Sequence, residues 1–348
     1  MWADILTPKQ VLFYKPVIEI LKAEGHEVLA TSRHFREVEP LARMHGIQLT
    51  YVGERGGGDT HDQLKASLDR QLKLVPLVEE FRPAISVSTA SADCARISFG
   101  LRIRHLAVND SPHSAVASKL ALPLSFHLMT PWMIPYSDWS VYGIKRRMIT
   151  RYRALDPAAW LKRAATGKLE LALDRGKKTI TIRLEESYAP YMIGSDKDWA
   201  SRALDRIAKD FRGYNLVALC RYDQQLKDIR AKFGESFIVP ENVIDGTALL
   251  RATDLFVGLG GTMTAEAALM GVPTISAFQR DYLVERYLVS KGLVTKARSP
   301  EQISRVAMRL MQKEVRARIS SKATKLLNWM EDPAQKIADV ISNINLNN

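Results

Sequence analysis

Short apolar runs alternate with segments of helical periodicity along most of this chain, and no other feature of the sequence constrains its fold as strongly. The first half carries five such runs: ADIL, HEVLATS, IQLTYV, AISVSTA and RHLAV. A later series consists of KTITIRL, NLVALC, SFIVP, DLFVG and PTISAF. Runs of this length between helices are typical of strands in parallel sheets, which are wound by right-handed crossovers. The pattern therefore predicts an α/β fold with doubly wound parallel sheets.

Chain length and one irregular stretch indicate two domains. Single hydrophobic cores rarely grow beyond about 250–300 residues, and this chain has 348. Ser125–Lys168 interrupts the alternation, because it is rich in Pro, Trp and Tyr and then becomes strongly basic. We place the boundary within it and predict two Rossmann-like domains, residues 1–150 and 151–348, with a cleft between them. The second domain should end in an amphipathic helical tail from Pro300 onward.

Charge and the lack of targeting signals restrict the function classes. Lys and Arg number 50 against 38 Asp and Glu, and the resulting net charge of +12 favours an anionic partner. The start MWADILTPKQ lacks the pattern of a signal peptide, and no apolar run is long enough to span a bilayer. We therefore expect a cytoplasmic protein, at most peripheral at the inner membrane face. Its two cysteines have no CxxC spacing, which argues against a zinc ribbon or a disulfide framework.

The strongest local signal is DLFVGLGGTMTAEAALMGVPTIS, Asp254–Ser276. An apolar strand ends there at Gly258, and a glycine pair, Gly260 and Gly261, precedes a helix-forming run. Glycines at such a turn let the backbone approach a ligand, and the first N–H groups of the helix favour an anion. A tight turn with a helix cap and no ligand fits the glycine pair equally well. The match to G-x-G-x-x-G is poor, so NAD binding is not expected.

Polar residues follow the glycine pair at positions suited to a nucleotide. The hydroxyls of Thr262 and Thr264 can cap the helix or donate to a phosphate oxygen. Glu266 lies about one turn into the helix, where its carboxylate can reach the hydroxyl pair of a ribose.

The spacing E-x-A-x-x-G-x-P, from Glu266 to Pro273, resembles the donor-nucleotide motif of GT-B-fold enzymes. The resemblance is to the MurG-type N-acetylglucosaminyltransferases and the UDP-N-acetylglucosamine 2-epimerases in particular. In those families the glycine turn and the helix start hold the diphosphate, and the glutamate holds the ribose. The resemblance assigns these roles to Gly260, Gly261, Thr262 and Glu266. It also implies a uridine nucleotide, no metal and no separate cofactor.

Most of the chain is similar to the DUF354 family, which is common in archaea and related to those enzymes. The similarity is weakest over Ser125–Lys168. It rests on DILTPKQVLFYKPVIEILKAEGHEVLATSR, IRLEESYAPY, CRYDQQ and ENVIDGTALLRATDLFVGLGGTMTAEAALMGVPTIS. Membership implies the GT-B fold and the use of a sugar nucleotide, without naming a product.

Further polar residues of the second domain follow predicted strands, at the edge where parallel sheets bind ligands. Arginine suits a diphosphate there, because its planar fork donates two parallel hydrogen bonds. A surface salt bridge explains each residue individually, whereas the set together favours a nucleotide site. Asp245 and Gly246 begin a short helix before the glycine turn, a place where backbone groups often read the base in this fold. The strand-end candidates are Arg183, Glu185, Tyr188, Arg221 and Gln224.

In the first domain, the loop after the first strand offers Asp4 and Lys9. Lys9 can pair with a phosphate or with a carboxylate of an acceptor, and Asp4 can act as a base or as an orienting group. A capped turn with a solvated lysine fits the same residues equally well.

The loop Asn109–His113 follows the fifth predicted strand and carries an Asp–His pair. Imidazole titrates near neutrality and a carboxylate can orient it, so Asp110 and His113 are candidates for acid–base catalysis. Relatives resemble D-x-E-H at this loop, and Pro112 replaces the acidic residue. An Asx-turn with a helix N-cap is the alternative.

The basic and aromatic stretch Trp132–Lys168 has two interpretations. It can dock on an anionic membrane beside a lipid-linked acceptor. Alternatively, its apolar side chains pack on the core while its arginines face water. No nucleic-acid-binding module accompanies it, so nucleic acid is not an expected partner.

Together these features predict a metal-independent glycosyltransferase that uses a nucleoside-diphosphate sugar, most simply a UDP sugar, at a site between its domains. The acceptor is unspecified. A UDP-N-acetylhexosamine 2-epimerase is the alternative enzyme, and a non-catalytic sugar-nucleotide binder is an alternative of another class.

Overall fold

The computed structural model describes residues 1–57, 59–163, 167–184 and 199–343. It divides into two compact units. Unit 1 consists of Met1–Arg163 together with Glu331–Asn348, and unit 2 is Ala164–Met330. Each unit is built on its own parallel sheet, which confirms the predicted fold class.

Seven parallel strands form the sheet in the described part of unit 1. They are β1 (Trp2–Asp4), β2 (Leu29–His34), β3 (Thr50–Glu54), β4 (Ile85–Ser88), β5 (Arg104–Val108), β6 (His127–Pro131) and β7 (Ile149–Tyr152). Their order across the sheet is β3-β2-β1-β4-β5-β6-β7. The strand order reverses between β1 and β4, and ligands bind beyond such a switch point in sheets of this kind.

The helices within residues 1–163 of unit 1 cover both faces of this sheet. They are α1 (Pro8–Ala23), α2 (Val38–Met44), α3 (Thr60–Phe81), α4 (Ala92–Gly100), α5 (Ala115–Ala121), α6 (Ser137–Ser140) and α7 (Ala158–Leu161). Helix α1 packs against α2 and α7, whereas α3, α4 and α5 pack side by side. Right-handed crossovers place these two groups on opposite faces, because the chain reverses its direction across the sheet after β3.

Unit 2 has a five-stranded parallel sheet within its described residues. Its strands are β8 (Thr179–Arg183), β9 (Asn215–Leu219), β10 (Leu255–Gly258), β11 (Thr274–Ser276) and β12 (Val294–Lys296). The order is β12-β11-β10-β8-β9, with the switch point between β8 and β10. The helices are α8 (Trp199–Asp210), α9 (Asp223–Phe233), α10 (Gly246–Arg251), α11 (Met263–Leu269), α12 (Leu283–Ser290), α13 (Pro300–Leu310) and α14 (Lys313–Trp329).

The boundary of unit 1 differs from the predicted division. Residue 150 lies inside β7, which pairs with β6 and completes the first sheet. The last helix, α15 (Pro333–Ser342), packs on α1 of unit 1. Its Ser342 hydroxyl donates to Glu24 at 2.7 Å, and the stripe that includes Ile337 and Ile341 is buried. The helical tail predicted for the second domain therefore ends on the first unit, because its apolar face is covered there.

Three strands were not predicted from the sequence, and one predicted strand forms only a single bridge. SFIVP contributes an isolated bridge between Val217 and Ile238 rather than a named strand. Strands β6 and β7 lie in the irregular Pro- and aromatic-rich stretch, where no alternation marks them. Strand β12 has three residues and ends on a lysine, so it has no apolar run to detect.

A buried ionic cluster joins α3 to the switch point of unit 1. The Arg70 side chain is 1% exposed, and its Nη2 lies 2.6 Å from Asp4 Oδ1 at the end of β1. Its Nη1 lies 2.9 Å from Asp93 Oδ2 on α4, and its Nε donates to the Val52 carbonyl at 3.0 Å. One guanidinium therefore neutralises two buried carboxylates and holds two helices and two strands together.

We expect Arg70→Met to lower the free energy of unfolding by about 3–5 kcal/mol, because two carboxylates remain buried without their cation. The matched control is Lys73→Met, an exposed cation on the same helix, which should change stability by less than about 0.5 kcal/mol. Urea denaturation followed by circular dichroism measures both. Equal effects of the two substitutions would contradict the structural role given to Arg70.

Candidate functional site

The predicted glycine turn follows β10 and has a backbone that favours glycine. Gly260 and Gly261 have φ angles of +116° and +91°, which side chains of L-residues rarely allow. A Cβ on Gly260 would lie 3.0 Å from the Phe278 ring, and one on Gly261 would lie 2.6 Å from Arg221 Nη2. Both positions therefore require glycine, because of their backbone conformation and because of the close packing around them.

The polar ends of four strands lie in one row beside this turn. Gly258 pairs in register with Arg183 on one side and with Ser276 on the other, and Ser276 pairs with Lys296. All four are the last residues of their strands. Arg183 and the glycine turn thus flank the switch point of the second sheet, where a doubly wound fold binds its ligand.

Two guanidinium groups accompany the glycine turn. Arg183 Nη1 donates to the Cys220 carbonyl at 3.3 Å, and Arg221 lies against Gly261. The Arg221 backbone N–H donates to Gln225 Oε1 at 2.8 Å. Gln224, by contrast, donates to Asp228 at 2.7 Å on the exposed face of α9. The structure therefore brings the Arg221 guanidinium to the turn, and it brings the Arg183 backbone beside the turn with its guanidinium on the Cys220 carbonyl. Gln224 faces away, and its neighbour Gln225 contacts the Arg221 backbone.

Helix α11 begins after Thr262 and places two predicted residues in the interior. Thr264 and Glu266 are 4% and 5% exposed. Thr264 Oγ1 sits beneath Gly258, where a Cβ would overlap it, and has no hydrogen-bond partner among the described residues. Buried hydroxyls are rarely left in that state. Thr264 thus carries a buried hydroxyl without a partner in the described part of the chain, next to the strand end that precedes the glycine turn.

The short helix α10 contacts the start of α11. Its N-cap is Asp245, which accepts from the Ala248 N–H at 2.9 Å. Thr247 Oγ1 donates to Glu266 Oε1 at 3.0 Å, and a Cβ on Gly246 would lie 3.5 Å from the Met263 methyl. The predicted residues Asp245, Gly246 and Glu266 thus belong to one locality. Thr247, which the sequence analysis missed, joins the two helices.

Lys296 is the centre of an ionic cluster that the sequence did not indicate. Its Nζ is paired with Glu285 and lies 3.1 Å from Asp281 Oδ1 and 2.8 Å from the Arg280 carbonyl. Burial raises the pKa of Glu285, although Lys296 opposes this. The cluster borders the glycine turn, since Lys296 also lies 5.9 Å from the centroid of the Phe278 ring. The residues are dispersed along the chain, and no motif links them.

Unit 1 contains an ionic cluster centred on Lys9, the second residue of α1. Lys9 Nζ lies 2.6 Å from Asp110 Oδ2 and 2.7 Å from Asp156 Oδ2. The Tyr152 hydroxyl donates to the other oxygen of Asp156 at 2.6 Å. The side chains of Asp110 and Asp156 are 13% and 3% exposed. The structure therefore brings together the predicted Lys9 and Asp110 and adds Asp156, which the sequence showed only as a lone acid in a basic stretch.

The two carboxylates of this cluster differ in acidity. Burial opposes the charge of Asp110, but Lys9 and the Ser111 hydroxyl hold its pKa below the usual range. Burial and the charge of Asp110 raise the pKa of Asp156 to about 6, against the pull of Lys9. Asp110 is thus ionised at neutral pH, whereas the pKa of Asp156 lies at about 6.

The Asn109–His113 loop is held in place without using the Asp110 carboxylate as a turn former. Asn109 Oδ1 accepts from the Ser111 N–H at 2.8 Å, which is an Asx-turn. The Tyr142 hydroxyl donates to the Pro112 carbonyl at 2.6 Å. The Asx-turn alternative thus applies to Asn109, and Asp110 remains directed at Lys9. His113 is half-buried in the same loop, and its charge lowers the pKa of Asp110.

Asp4 belongs to the Arg70 cluster and not to the Lys9 cluster. Besides Arg70, its carboxylate accepts from the Thr31 hydroxyl at 2.8 Å and the Ser91 hydroxyl at 2.7 Å. Burial would raise the pKa of Asp4, but Arg70 and these hydroxyls lower it. A fully buried carboxylate with this many donors is suited to holding structure rather than to accepting a proton.

Other predicted features have the following places. Glu185 and Tyr188 lie outside the described residues. In the stretch Trp132–Lys168, Trp139 is fully buried, and Arg146 and Arg151 lie over the Tyr136 ring, which supports packing on the core. None of the helices in the described ranges combines the length and apolar character that a bilayer crossing needs.

One group of potential metal ligands lies close together in the part of the chain that is described. It consists of Asp59, His61 and Asp62, whose ligand atoms lie within 4.8 Å of one another. All three are exposed, and Asp59 already accepts from the Asp62 N–H as the N-cap of α3. The group is explained as the capped start of a helix.

Comparison with known proteins identifies relatives over the whole chain. The family model described as "Protein of unknown function (DUF354)" matches residues 1–345. A protein of Methanocaldococcus jannaschii named "Uncharacterized protein MJ0665" is 26% identical over 298 residues, which is 84% of this chain and 85% of that protein.

Solved structures resemble the chain at low sequence identity. UDP-GlcNAc 2-epimerase from Neisseria meningitidis, bound to UDP-GlcNAc, has a TM-score of 0.74 and 14% identity, and the match covers 100% of this chain and 99% of that one. The spinosyn forosaminyltransferase SpnP has a TM-score of 0.64 and 15% identity, with 98% of each chain covered. These likenesses show the GT-B fold, which confirms the fold predicted from the sequence.

We expect Lys9→Met to lower the free energy of unfolding by about 3–5 kcal/mol at pH 8, because two buried carboxylates then face each other without a cation. Lys9 lowers the pKa of Asp156, so its removal raises that pKa further, and the variant takes up a proton at a higher pH than the wild type. Protonation relieves the repulsion, and the deficit should therefore shrink as the pH falls from 8 to 5. Lys15→Met, on the same helix, serves as control and should cost less than about 0.5 kcal/mol at either pH. Urea titrations at pH 5 and 8 measure both, and a deficit independent of pH would contradict the assignment.

Proposed function

This chain belongs to the DUF354 family, and from its GT-B fold and its glycine turn we propose that it is a glycosyltransferase using a nucleoside-diphosphate sugar. Unit 2 binds the donor, and uridine diphosphate is the leaving group. The observation that carries this proposal is the row of strand ends around Gly260 and Gly261, with two arginines beside it.

Donor binding uses three features of unit 2. The N–H groups of Gly260, Gly261 and Thr262 donate hydrogen bonds to the diphosphate oxygens, and Arg183 and Arg221 neutralise the charge of the diphosphate. Glu266 binds the ribose from α11, held in position by Thr247. This arrangement stabilises a leaving diphosphate with cationic side chains and oriented N–H groups, the type of electrostatic stabilisation that transfer reactions use.

The acceptor is activated by the Lys9 cluster of unit 1. An acceptor hydroxyl gives its proton to the Asp110 carboxylate, its oxygen bonds to the anomeric carbon of the sugar, and the bond from that carbon to the diphosphate oxygen breaks. His113 in the same loop is the alternative base. Lys9 orients Asp110, and Asp156 is a positioning residue that holds Lys9 from the other side.

The exposure of the two carboxylates favours transfer over epimerisation. Elimination and readdition at a sugar need separate groups to remove and return protons. Asp110 is bound by Lys9 and the Ser111 hydroxyl and is 13% exposed, whereas Asp156 is bound by Lys9 and Tyr152 and is 3% exposed. One carboxylate is therefore placed to meet a substrate, which is sufficient for acceptor deprotonation. The epimerase remains the second candidate, supported by the presence of two carboxylates on one lysine.

Nucleotide binding is tested by thermal shift with uridine diphosphate. We expect a saturating concentration, about 100 times Kd, to stabilise the wild type by about 2.7 kcal/mol, which is a rise of several degrees in Tm. Glu266→Ala should weaken binding by at least about tenfold, the equivalent of about 1.4 kcal/mol. Glu314→Ala, an exposed glutamate on α14, is the matched control and should bind as the wild type does. A wild type that uridine nucleotides do not stabilise would refute the proposal.

The reaction class is tested by incubating the pure protein with UDP-N-acetylglucosamine alone and then with candidate acceptors. Transfer predicts UDP binding without turnover until an acceptor is present, and Asp110→Asn should then lower kcat by about 100-fold or more. Formation of the C2 epimer, or of UDP and free sugar without an acceptor, would establish the epimerase class instead. Binding without activity under either condition would identify a non-catalytic binder.

A further inference from the structure

Exposed apolar side chains are concentrated on one face of unit 1. Of the twelve large hydrophobic residues that are exposed among the described residues, seven belong to α3, α4, α5 or the turn before β6. These helices lie side by side on one face of the first sheet. Exposed apolar groups that gather in one place mark an interaction surface more often than scattered ones do. The seven are Leu64, Leu68, Leu72, Phe99, Val116, Leu120 and Phe126.

The part of this face around α4 and α5 combines apolar and cationic groups, and we call it the α4–α5 surface. Its apolar members are Phe99, Val116, Leu120 and Phe126, and its cations are Arg96, Arg102, Arg104 and Lys119. Helices α4 and α5 meet through alanines, including Ala95 and Ala121. Small side chains at a helix contact bring the two helices close together. The outward residues of both helices therefore form one continuous surface.

Helical spacing places these residues outward. On α5, Val116, Lys119 and Leu120 follow the i, i+3, i+4 pattern of a single face, opposite the buried Ser118 and Ala121. On α4, the exposed residues Arg96 and Phe99 are three apart. The Arg104 guanidinium lies 5.2 Å from the centroid of the Phe126 ring and so keeps a cation beside an exposed aromatic side chain.

The carboxylates of this region are directed away from the surface. Residues 92–127 contain two acids, Asp93 and Asp110. Asp93 pairs with the buried Arg70, and Asp110 pairs with Lys9. The charged residues of the α4–α5 surface are therefore cations with no carboxylate among them, whereas the adjacent α3 carries the exposed acids Asp69, Glu79 and Glu80. A second copy of the same cationic residues would repel them. The charge of the α4–α5 surface is complementary to an anionic partner, and its exposed Phe, Leu and Val side chains require that this partner also accept apolar groups.

We propose that the α4–α5 surface docks unit 1 on an anionic lipid bilayer. The four apolar side chains enter the boundary between headgroups and acyl chains, and the four cations bind the anionic headgroups. Helix α5 starts two residues after His113, so docking places the Asn109–His113 loop near the membrane. The surface differs from the stretch Trp132–Lys168, whose Trp139 and Ile134 are buried. Docking does not depend on the proposed transferase activity.

The test is sedimentation of the full-length protein with vesicles of phosphatidylcholine, with and without phosphatidylglycerol. We expect the wild type to bind the vesicles that contain phosphatidylglycerol and to lose this binding as salt is added. The double variant R96E/K119E removes two cations, each contributing about fivefold to partitioning, and should weaken binding by at least about 25-fold. The double variant F99S/L120S should weaken it by at least about tenfold.

The matched control is L72S/K73E, which changes an exposed leucine and an exposed lysine on α3, outside the α4–α5 surface. It should sediment much more strongly than the other variants, within about fivefold of the wild type. Circular dichroism melting shows whether each variant is folded. No binding of the wild type to phosphatidylglycerol vesicles would overturn the proposal. So would an equal loss in the control variant, which would show that net charge alone attracts the protein. A wild-type dimer that F99S/L120S converts to a monomer would show that a second copy covers the surface instead.

Discussion

Parallel hydrogen bonding between strands is the constraint on which the candidate chemistry of this protein depends. In each unit the described strands all run in parallel, so their carboxyl ends share one edge and the loops that follow them are neighbours. In unit 2, register pairing across β8, β10, β11 and β12 brings Arg183, Gly258, Ser276 and Lys296 into one row. Residues more than 100 positions apart thereby become a single polar locality. The proposal of a diphosphate site at the glycine turn depends on this setting, because one arginine ends β8 and another follows the neighbouring strand β9.

In the first unit, buried carboxylates are neutralised by two cations. Two cations, Arg70 and Lys9, each serve two carboxylates, but their surroundings differ. Arg70 is almost fully buried and its partner Asp4 also accepts hydroxyl hydrogen bonds, so this cluster fixes structure. Lys9 and Asp110 retain partial exposure, and Asp156 has a pKa of about 6. Of the two clusters, the Lys9 cluster therefore combines partial exposure with a carboxyl group whose pKa is raised. Because both acids of residues 92–127 serve these internal cations, the outer face of α4 and α5 keeps only positive charge.

Features that depend on neighbouring residues in the chain could be predicted from the sequence, whereas features that depend on contacts between distant residues could not. Helical periodicity and isolated apolar runs reflect local burial, so most strands and their carboxyl ends could be placed from the sequence. Strands β6, β7 and β12 could not, because pairing with a neighbour supplies what their short or irregular sequences lack. Gln224 illustrates the same limit at the site. Two adjacent glutamines follow one strand, and helix phase alone decides that Gln225 turns to the backbone of Arg221 while Gln224 faces outward.

The sequence by itself determined the α/β class, the existence of two parallel-sheet units and the glycine turn, because strand length, helix period and the conformational freedom of glycine are local properties. Its motif spacing also identified the family and the fold. Tertiary structure alone decided which charges meet. Asp156 meets Lys9 and Asp110, which lie 147 and 46 positions earlier in the chain, and Asp4 pairs with Arg70. The last helix belongs to the first unit because its apolar face is covered there. Charges and apolar stripes are recognisable in a sequence, but the partners that neutralise or cover them are chosen by the packing of distant elements.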